Sequence, residues 1–451
     1  MDDFRAAIIP FPMTIMHPEE PPSISDAYHH KYSGKTLLLK VSGKTLLSEE
    51  MPALIQDVQS LAREGIRFII VCGAGEQNTR HLKDYLAQIG QEWTEPERIG
   101  GRRVTDERQM LHGVLPACQS IRSLFRQSLP EATMLEPEQL HCIHLPELGF
   151  VGDPESVDRL GTDRIVVVPS VGSDGRQLLN VNADDTARAI AAQEARHLNE
   201  AIFVTETGGV LHRGSVAPLL WEEDIAADGS HAHIDVTGGG GGMQKKLCEA
   251  KRILRHIQKV VITGVAGIRQ EIERILGSGT LVVARSSVQC EPPPHDSADD
   301  AIFDALYRKN VVSKNFRPRS LQELQQLKEH VHLLKVSNSI LGAFALVPHG
   351  SFLEFATMCS DYNGTGVGDV ILQAAQKAAL LRKKDLYAFA SSPESAALFT
   401  RNHFENLGHV SALQKEHPTF YEFLSCVRDY DVSKRDPCFC MWRPEVFSAR
   451  K

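Results

Sequence analysis

Leu178-Leu179-Asn180-Val181-Asn182-Ala183-Asp184 is a short apolar run that breaks into Asn and Asp where a helix would open. It is answered downstream by Gly238 to Gly242, then Met243-Gln244-Lys245-Lys246. One stretch places a carboxylate at the start of a helix and the other places a lysine there. A site for a nucleotide triphosphate needs both: glycines let backbone N–H groups approach phosphate oxygens, the helix dipole favours the anion, and lysine neutralises developing charge. The same glycines would equally suit a surface loop beside an amphipathic helix, so the surroundings decide.

Outward from these stretches, strand-like runs alternate with helical patterns. Thr36 to Val41, Arg67 to Cys72, Arg164 to Pro169, Ala201 to Thr205, Lys259 to Thr263 and Thr280 to Ala284 are continuous apolar strands. Helical periods cover 51–63, 78–89, 184–198, 243–258 and 268–276. Alternation of this kind predicts an α/β fold, an open, mainly parallel sheet sandwiched between helices. Ligands in such sheets bind beyond the carboxyl ends of the strands. Gly73-Ala74-Gly75, after the strand ending at Cys72, should therefore meet the loop before Met243.

Glu291-Pro292-Pro293-Pro294-His295-Asp296-Ser297 marks a composition break. Beyond it the pattern is that of a second, smaller α/β unit. It has helices at 301–311 and 321–330, strands at 331–336, 341–347 and 352–358, a loop with three glycines, then a helix from 369 to 382. A strand at 386–390 and a helix at 395–402 follow. The expected organisation is a leader over 1–33, disordered or regulatory, a first domain over 34–288, a linker over 289–298 and a second domain over 299–451.

Bulk properties narrow the function. The 451 residues carry a net charge of −8 with no long basic stripe, which argues against a nucleic-acid partner. Nine cysteines include no C-x-x-C pair, so no zinc site or other metal ligand set is expected and the pattern suits a reducing compartment. No apolar run is long enough to span a bilayer. The proline-rich, acidic leader is neither a secretory signal nor a transit peptide, so a cytoplasmic enzyme is expected.

Six stretches occur in the order found in the amino-acid kinase family. They are Lys40-Val41-Ser42-Gly43, Gly73-Ala74-Gly75, Arg103-Val104-Thr105-Asp106, Asn180 to Asp184, Gly241-Gly242-Met243 with Lys246, and Gly277-Ser278-Gly279-Thr280. Within that family the chain from about 35 to 285 resembles the N-acetylglutamate kinases. The resemblance implies Lys40 and Lys246 as cations flanking the transferred phosphoryl group, with Asp184 organising both. It implies Gly43, Gly73, Gly75, Gly241 and Gly242 as nucleotide-binding donors. Arg103 would grip the substrate α-carboxylate, with Asn182 beside it. Two positions depart from the pattern. Ser42 stands in a glycine pair and Ala74 in a glycine triplet, each adding a β-carbon where phosphate should come close.

The strand to Met358 followed by Asp361-Tyr362-Asn363-Gly364-Thr365-Gly366-Val367-Gly368 resembles the acetyl-CoA loop of the GCN5-related acetyltransferases. The resemblance implies that Asn363, Gly364, Gly366 and Gly368 bind the cofactor pyrophosphate. Asn363 and Val367 replace residues that are usually basic. Arg319 and Arg435 sit where acetylglutamate synthases bind glutamate, and Pro437 stands where a serine follows. Ser391 and Ser392 occupy the place of a segment facing the thioester. Glu354 is the candidate base, directly or through water.

A kinase-like domain followed by an acetyltransferase domain is the layout of the N-acetylglutamate synthases. It implies L-glutamate, N-acetylglutamate, acetyl-CoA, ATP with Mg2+ and an L-arginine effector as ligands, and a homo-oligomer. Two other readings stay open: a kinase whose acetyltransferase domain is regulatory, and a non-catalytic sensor of arginine or acetyl-CoA.

Overall fold

A computed structural model describes residues 24–234, 242–273, 279–312, 319–350, 352–390, 392–416 and 437–444. Its organising element is an eight-stranded sheet in the order Leu219–Trp221, Thr280–Val283, Val260–Thr263, Leu198–Val204, Thr36–Val41, Arg67–Cys72, Ile165–Val168, Thr133–Met134. Every neighbouring pair is parallel except Val260–Thr263 with Thr280–Val283. The expected mainly parallel sheet is therefore present. Thr36–Val41 is buried at every position, and its side chains divide by the two-residue period of a strand. Leu37, Leu39 and Val41 enter one apolar cluster, while Leu38 enters the cluster on the opposite face.

The helix expected over 184–198 stops early. Ala183–Gln193 is helical, and Leu198 already pairs with Thr36 in the sheet. The chain has to return to the sheet edge, and the hydrogen-bond ladder overrides the helical apolar spacing. Between Arg67–Cys72 and Leu198–Val204 lies a region that periodicity alone did not resolve. It contains the hairpin Arg98–Ile99 with Arg102–Arg103 and a small closed barrel of Leu178–Val181, Val151–Val157, Leu140–His144 and Val171–Ser173.

The second unit is built on a seven-stranded sheet. Its order is Gln289–Glu291, Val331–Val336, Ser339–His349, Phe352–Cys359, Asp385–Ala390, Cys438–Trp442, Glu405–His409. Phe352–Cys359 and Asp385–Ala390 run parallel, and the other pairs are antiparallel. The expected linker over 289–298 is shorter than read. Gln289–Glu291 is an edge strand, and the helix Ser297–Val312 begins just beyond.

Of the leader expected over 1–33, the described part includes a helix, Ile24–Tyr32. Tyr32 is fully buried, and its hydroxyl donates to Glu200 Oε2 at 3.1 Å while accepting from Lys259 Nζ at 3.0 Å. Lys259 and Glu200 also form a buried ion pair. Burial opposes the Lys259 charge, but Glu200 and Tyr32 beside it together outweigh burial and hold the amine well above the ordinary range. The same helix reaches across both units. His29 contacts Glu64 at 2.8 Å and Glu273 at 2.9 Å, Lys31 pairs with Asp299, and Asn338 Nδ2 donates to the Lys31 carbonyl at 2.9 Å. The apolar cluster on the Leu37 face likewise takes in Phe344, Tyr362 and Val367 of the second unit.

Removing one partner of a buried pair leaves an uncompensated charge. Lys259→Met should cost about 3–5 kcal/mol, read as an earlier urea midpoint, and adding Glu200→Leu should restore most of it. A double variant no more stable than the single one would contradict this. A second expectation concerns His332, which is buried against Phe344 with Nε2 3.4 Å from Arg382. Burial pushes it from 6.5 down to about 4. Its folded-state value lies below the unfolded one, so its contribution is complete above pH 6.5 and is lost as pH falls toward 4. Thermal stability should fall across that window, and His332→Phe should flatten the fall.

Candidate active sites

Lys40 is the last charged residue of the buried central strand, and Asp184 lies in the first turn of Ala183–Gln193. Both are buried, and Lys40 Nζ lies 2.5 Å from Asp184 Oδ1. Burial pushes the Asp184 carboxyl up, but Lys40, Lys245 and Lys246 together outweigh this and hold it below the usual carboxylate value. Asn182 caps the helix, with Oδ1 accepting from the Asp184 N–H at 2.8 Å. The cap orients Asp184, and the Asn182 amide N–H2 is left without a partner among the described residues.

Two glycine turns close over the strand ends. Gly73 N–H donates to the Val41 carbonyl at 2.8 Å, and Gln77 Nε2 donates to the Gly43 carbonyl at 3.0 Å. A β-carbon on Gly43 would stand 2.7 Å from Gln77 Oε1 and 3.1 Å from the Gly73 carbonyl oxygen, so a larger residue there would displace Gln77 and press on the second turn. Gly75 has open space around it. The departures at Ser42 and Ala74 are accommodated. The Ser42 hydroxyl caps the short helix Gly43–Leu46, accepting from Thr45 N at 3.1 Å. The Ala74 methyl belongs to the apolar cluster under the sheet.

The helix Gly242–Ile253 brings the second cation group. Gly242 is its first residue, and Gly241 lies outside the described residues. Lys246 Nζ is 3.5 Å from the Gly242 carbonyl, while the neighbouring Lys245 is nearer the carboxylate, 3.7 Å from Asp184 Oδ2. Lys245 also donates to the Gly101 carbonyl at 3.4 Å. Burial, with Lys40 close by, lowers the Lys246 amine below its ordinary value. The sequence reading assigned Lys246 alone. The adjacent lysine was visible, but which of the two faces Asp184 depends on helix rotation. One turn on, the buried Glu249 pairs with Arg252 at 2.6 Å, and burial raises its carboxyl.

Arg103 does not touch Asp184. It lies on the hairpin strand Arg102–Arg103, and its Nη2 donates to Thr79 Oγ1 at 2.9 Å on the helix that opens at Gly75. Arg102 turns the other way, to Asp185 at 3.0 Å and Asp153 at 2.7 Å. Strand alternation thus laces the hairpin to both helices that frame the site. The Arg102–Asp185 link was not anticipated.

In the second unit, Ser360 Oγ donates to the Leu341 carbonyl at 2.6 Å and accepts from Tyr362 N at 3.0 Å. Thr365 Oγ1 donates to the Tyr362 carbonyl at 2.6 Å. The loop turns through left-handed Gly364 and Gly366, at φ +76° and +85°, into the helix Val367–Leu381. The backbone N–H groups of residues 363 to 368 have no acceptor among the described residues, as an anion cradle requires. Gly368 packs closely on Leu398, where a β-carbon would lie 3.2 Å from Leu398 Cδ2.

Phe352–Cys359 pairs with Ser339–His349 through a bulge. Ala345 opposes Thr357 while the next residue, Leu346, opposes Phe355. Glu354 and Thr357 therefore share a face. Glu354 accepts from His349 Nε2 at 2.9 Å. Arg319 donates to Tyr307 OH at 3.1 Å and reaches Thr357 Oγ1 at 3.5 Å. Ser392 is committed otherwise than expected: it caps Pro393–Arg401, accepting from Ser395 N at 3.2 Å. Ser391 and Arg435 lie outside the described residues. Glu291, His295 and Asp299 cluster elsewhere, but Lys335 pairs with both carboxylates, which makes the group an ion-pair network.

Comparison with known proteins bears on both units. Acetylglutamate kinases from Brucella anthropi and Brucella canis are 27% identical over 307 residues, spanning 60% of this chain and 99% of each relative. A solved N-acetylglutamate synthase from Neisseria gonorrhoeae, complexed with coenzyme A and L-arginine, superposes with a TM-score of 0.62. It is 19% identical and covers 93% of this chain and 97% of its own. The same enzyme complexed with coenzyme A and N-acetyl-glutamate gives a TM-score of 0.51. This likeness is one of fold and runs through both sheets. The amino acid kinase family model matches residues 35–264, and the chain belongs to the amino acid kinase family.

Proposed function

We propose that this chain is a two-site transferase of arginine biosynthesis. The second unit moves acetyl from acetyl-CoA to the amine of L-glutamate, and the first phosphorylates N-acetylglutamate with MgATP. The observation that carries the kinase half is the buried Lys40–Asp184 pair with Lys245 and Lys246 beside it. The γ-carboxylate of N-acetylglutamate is ionised at neutral pH and attacks without a general base. The protein then has to hold two anions together and neutralise the transferring group. Lys40 and Lys246 supply that charge, Asp184 holds Lys40 directly and Lys245 on the helix that carries Lys246, and the Gly43 and Gly73 turns offer backbone donors. Arg103 grips the α-carboxylate, with Asn182 alongside. Mg2+ enters with the nucleotide, since Asp184 is already engaged by Lys40 and Lys245.

For acetyl transfer, the unclaimed N–H groups of residues 363 to 368 hold the pyrophosphate. Arg319, with Arg435, takes the glutamate carboxylates. The glutamate ammonium loses a proton to Glu354, directly or through water, with His349 fixing the carboxylate. The amine then attacks the thioester and the thiolate departs with a proton. L-arginine is the effector by analogy with the arginine-complexed synthase of like fold. The second reading, a kinase with a regulatory acetyltransferase fold, rests on Asn363 and Val367 standing where basic residues are usual. Against the pure sensor stands the lysine cluster, with the Ser42 hydroxyl engaged as a helix cap and Ala74 packed in the apolar cluster.

Thiol release from acetyl-CoA should require L-glutamate, and its absence would leave the regulatory reading. ADP formation should require N-acetylglutamate and fall about 100-fold or more in Lys246→Ala, with thiol release retained. Equal ADP formation in the variant would remove Lys246 from the mechanism. The kinase pH profile should lose activity on its alkaline side below the ordinary lysine value of 10.5, because the lowered Lys246 amine sheds its charge as pH rises. Lys246→Arg should move that limb upward.

A further inference from the structure

We infer that Trp221, a side chain of the kinase-like unit, is a positioning residue for the acetyl-CoA site of the other unit. The inference rests on the reading of residues 363 to 368 as the pyrophosphate loop. Trp221 ends the edge strand Leu219–Trp221 of the eight-stranded sheet and is 3% exposed. Its indole Nε1–H donates to the Thr365 carbonyl at 2.6 Å. Arg285 lies over the ring, its guanidinium 4.9 Å from the ring centroid. Arg285 is in turn fixed by Asp224 at 2.9 Å and by Glu223, which accepts from the Arg285 backbone N–H at 2.8 Å.

The consequence follows from peptide geometry. The Thr365 carbonyl and the Gly366 N–H belong to one planar trans peptide, so they point in opposite directions. Anchoring the carbonyl on Trp221 aims the Gly366 N–H away from the kinase-like unit, into the unclaimed row of donors. Gly366 is at φ +85°, where an L side chain is strained, and a β-carbon there would stand in contact with Trp221 Nε1 at 3.4 Å. Without the anchor this peptide is free to rotate, and the cradle loses a preorganised donor. The part-buried carbonyl also loses its partner. The acetyl-CoA loop is thus completed by the other domain.

The test uses the full-length protein and coenzyme A as the probe. Trp221→Phe keeps the aromatic volume and removes the donor. Calorimetric titration should give a coenzyme A dissociation constant raised about tenfold, with KM for acetyl-CoA rising in step. The turnover number, KM for glutamate and N-acetylglutamate-dependent ADP formation should stay within about twofold of wild type. Gly366→Ala should reproduce the loss from the other side of the contact. Coenzyme A binding equal to wild type in Trp221→Phe would overturn the inference and leave the loop assignment standing. No binding by the wild-type protein would remove the loop assignment and the inference together. A uniform loss in both assays would assign Trp221 a merely structural role and overturn the positioning role.

Discussion

The first unit depends on one ion pair. Lys40 lies one residue before the end of a buried strand, and Asp184 lies in the first turn of a helix packed on that sheet, so neither charge has water to fall back on. Each is tolerated because the other is there, and together they tie the strand end to the helix start. The remaining parts answer to that pair. The Asn182 cap aims Asp184, the glycine turns close over the strand ends, and the helix from Gly242 brings Lys245 to the same carboxylate with Lys246 beside it. The result is a preorganised positive field in a partly desolvated hollow, which is what phosphoryl transfer between two anions demands.

The two units are not beads on a string. The helix Ile24–Tyr32 plugs a tyrosine into the Glu200–Lys259 pair at the base of the first sheet and binds Asp299 and Asn338 of the second unit with its last turn. At another edge of the first sheet, Trp221 meets the glycine loop. One apolar cluster runs through both. A change of state in either unit therefore has contacts through which to reach the other.

Much of this was legible in the residues. Continuous apolar strands between helical periods indicated the parallel sheet, and short polar motifs at strand and helix ends located Lys40, the glycine turns and Asp184. These are local signals. What stayed hidden was set by rotation, register or distance in the chain. Lys245 and Lys246 are indistinguishable until the helix is turned against Asp184. The bulge that brings Glu354 and Thr357 to one face is a register shift against a partner strand. Trp221 and Thr365 are 144 residues apart. Tyr32 looked like part of a loose leader because its partners, Glu200 and Lys259, lie in distant strands. Ser392 was readable as a helix cap from Ser-Pro-Glu-Ser alone, and the resemblance to a thioester-facing segment drew the reading elsewhere.

The central claim is that one chain makes an acetylated amino acid and then activates it. It is tested most directly by supplying acetyl-labelled acetyl-CoA, L-glutamate and MgATP together, with no added N-acetylglutamate, and trapping acyl phosphate with hydroxylamine. The account predicts labelled hydroxamate that requires both glutamate and ATP. Hydroxamate that forms from added N-acetylglutamate but never carries label from acetyl-CoA would contradict it.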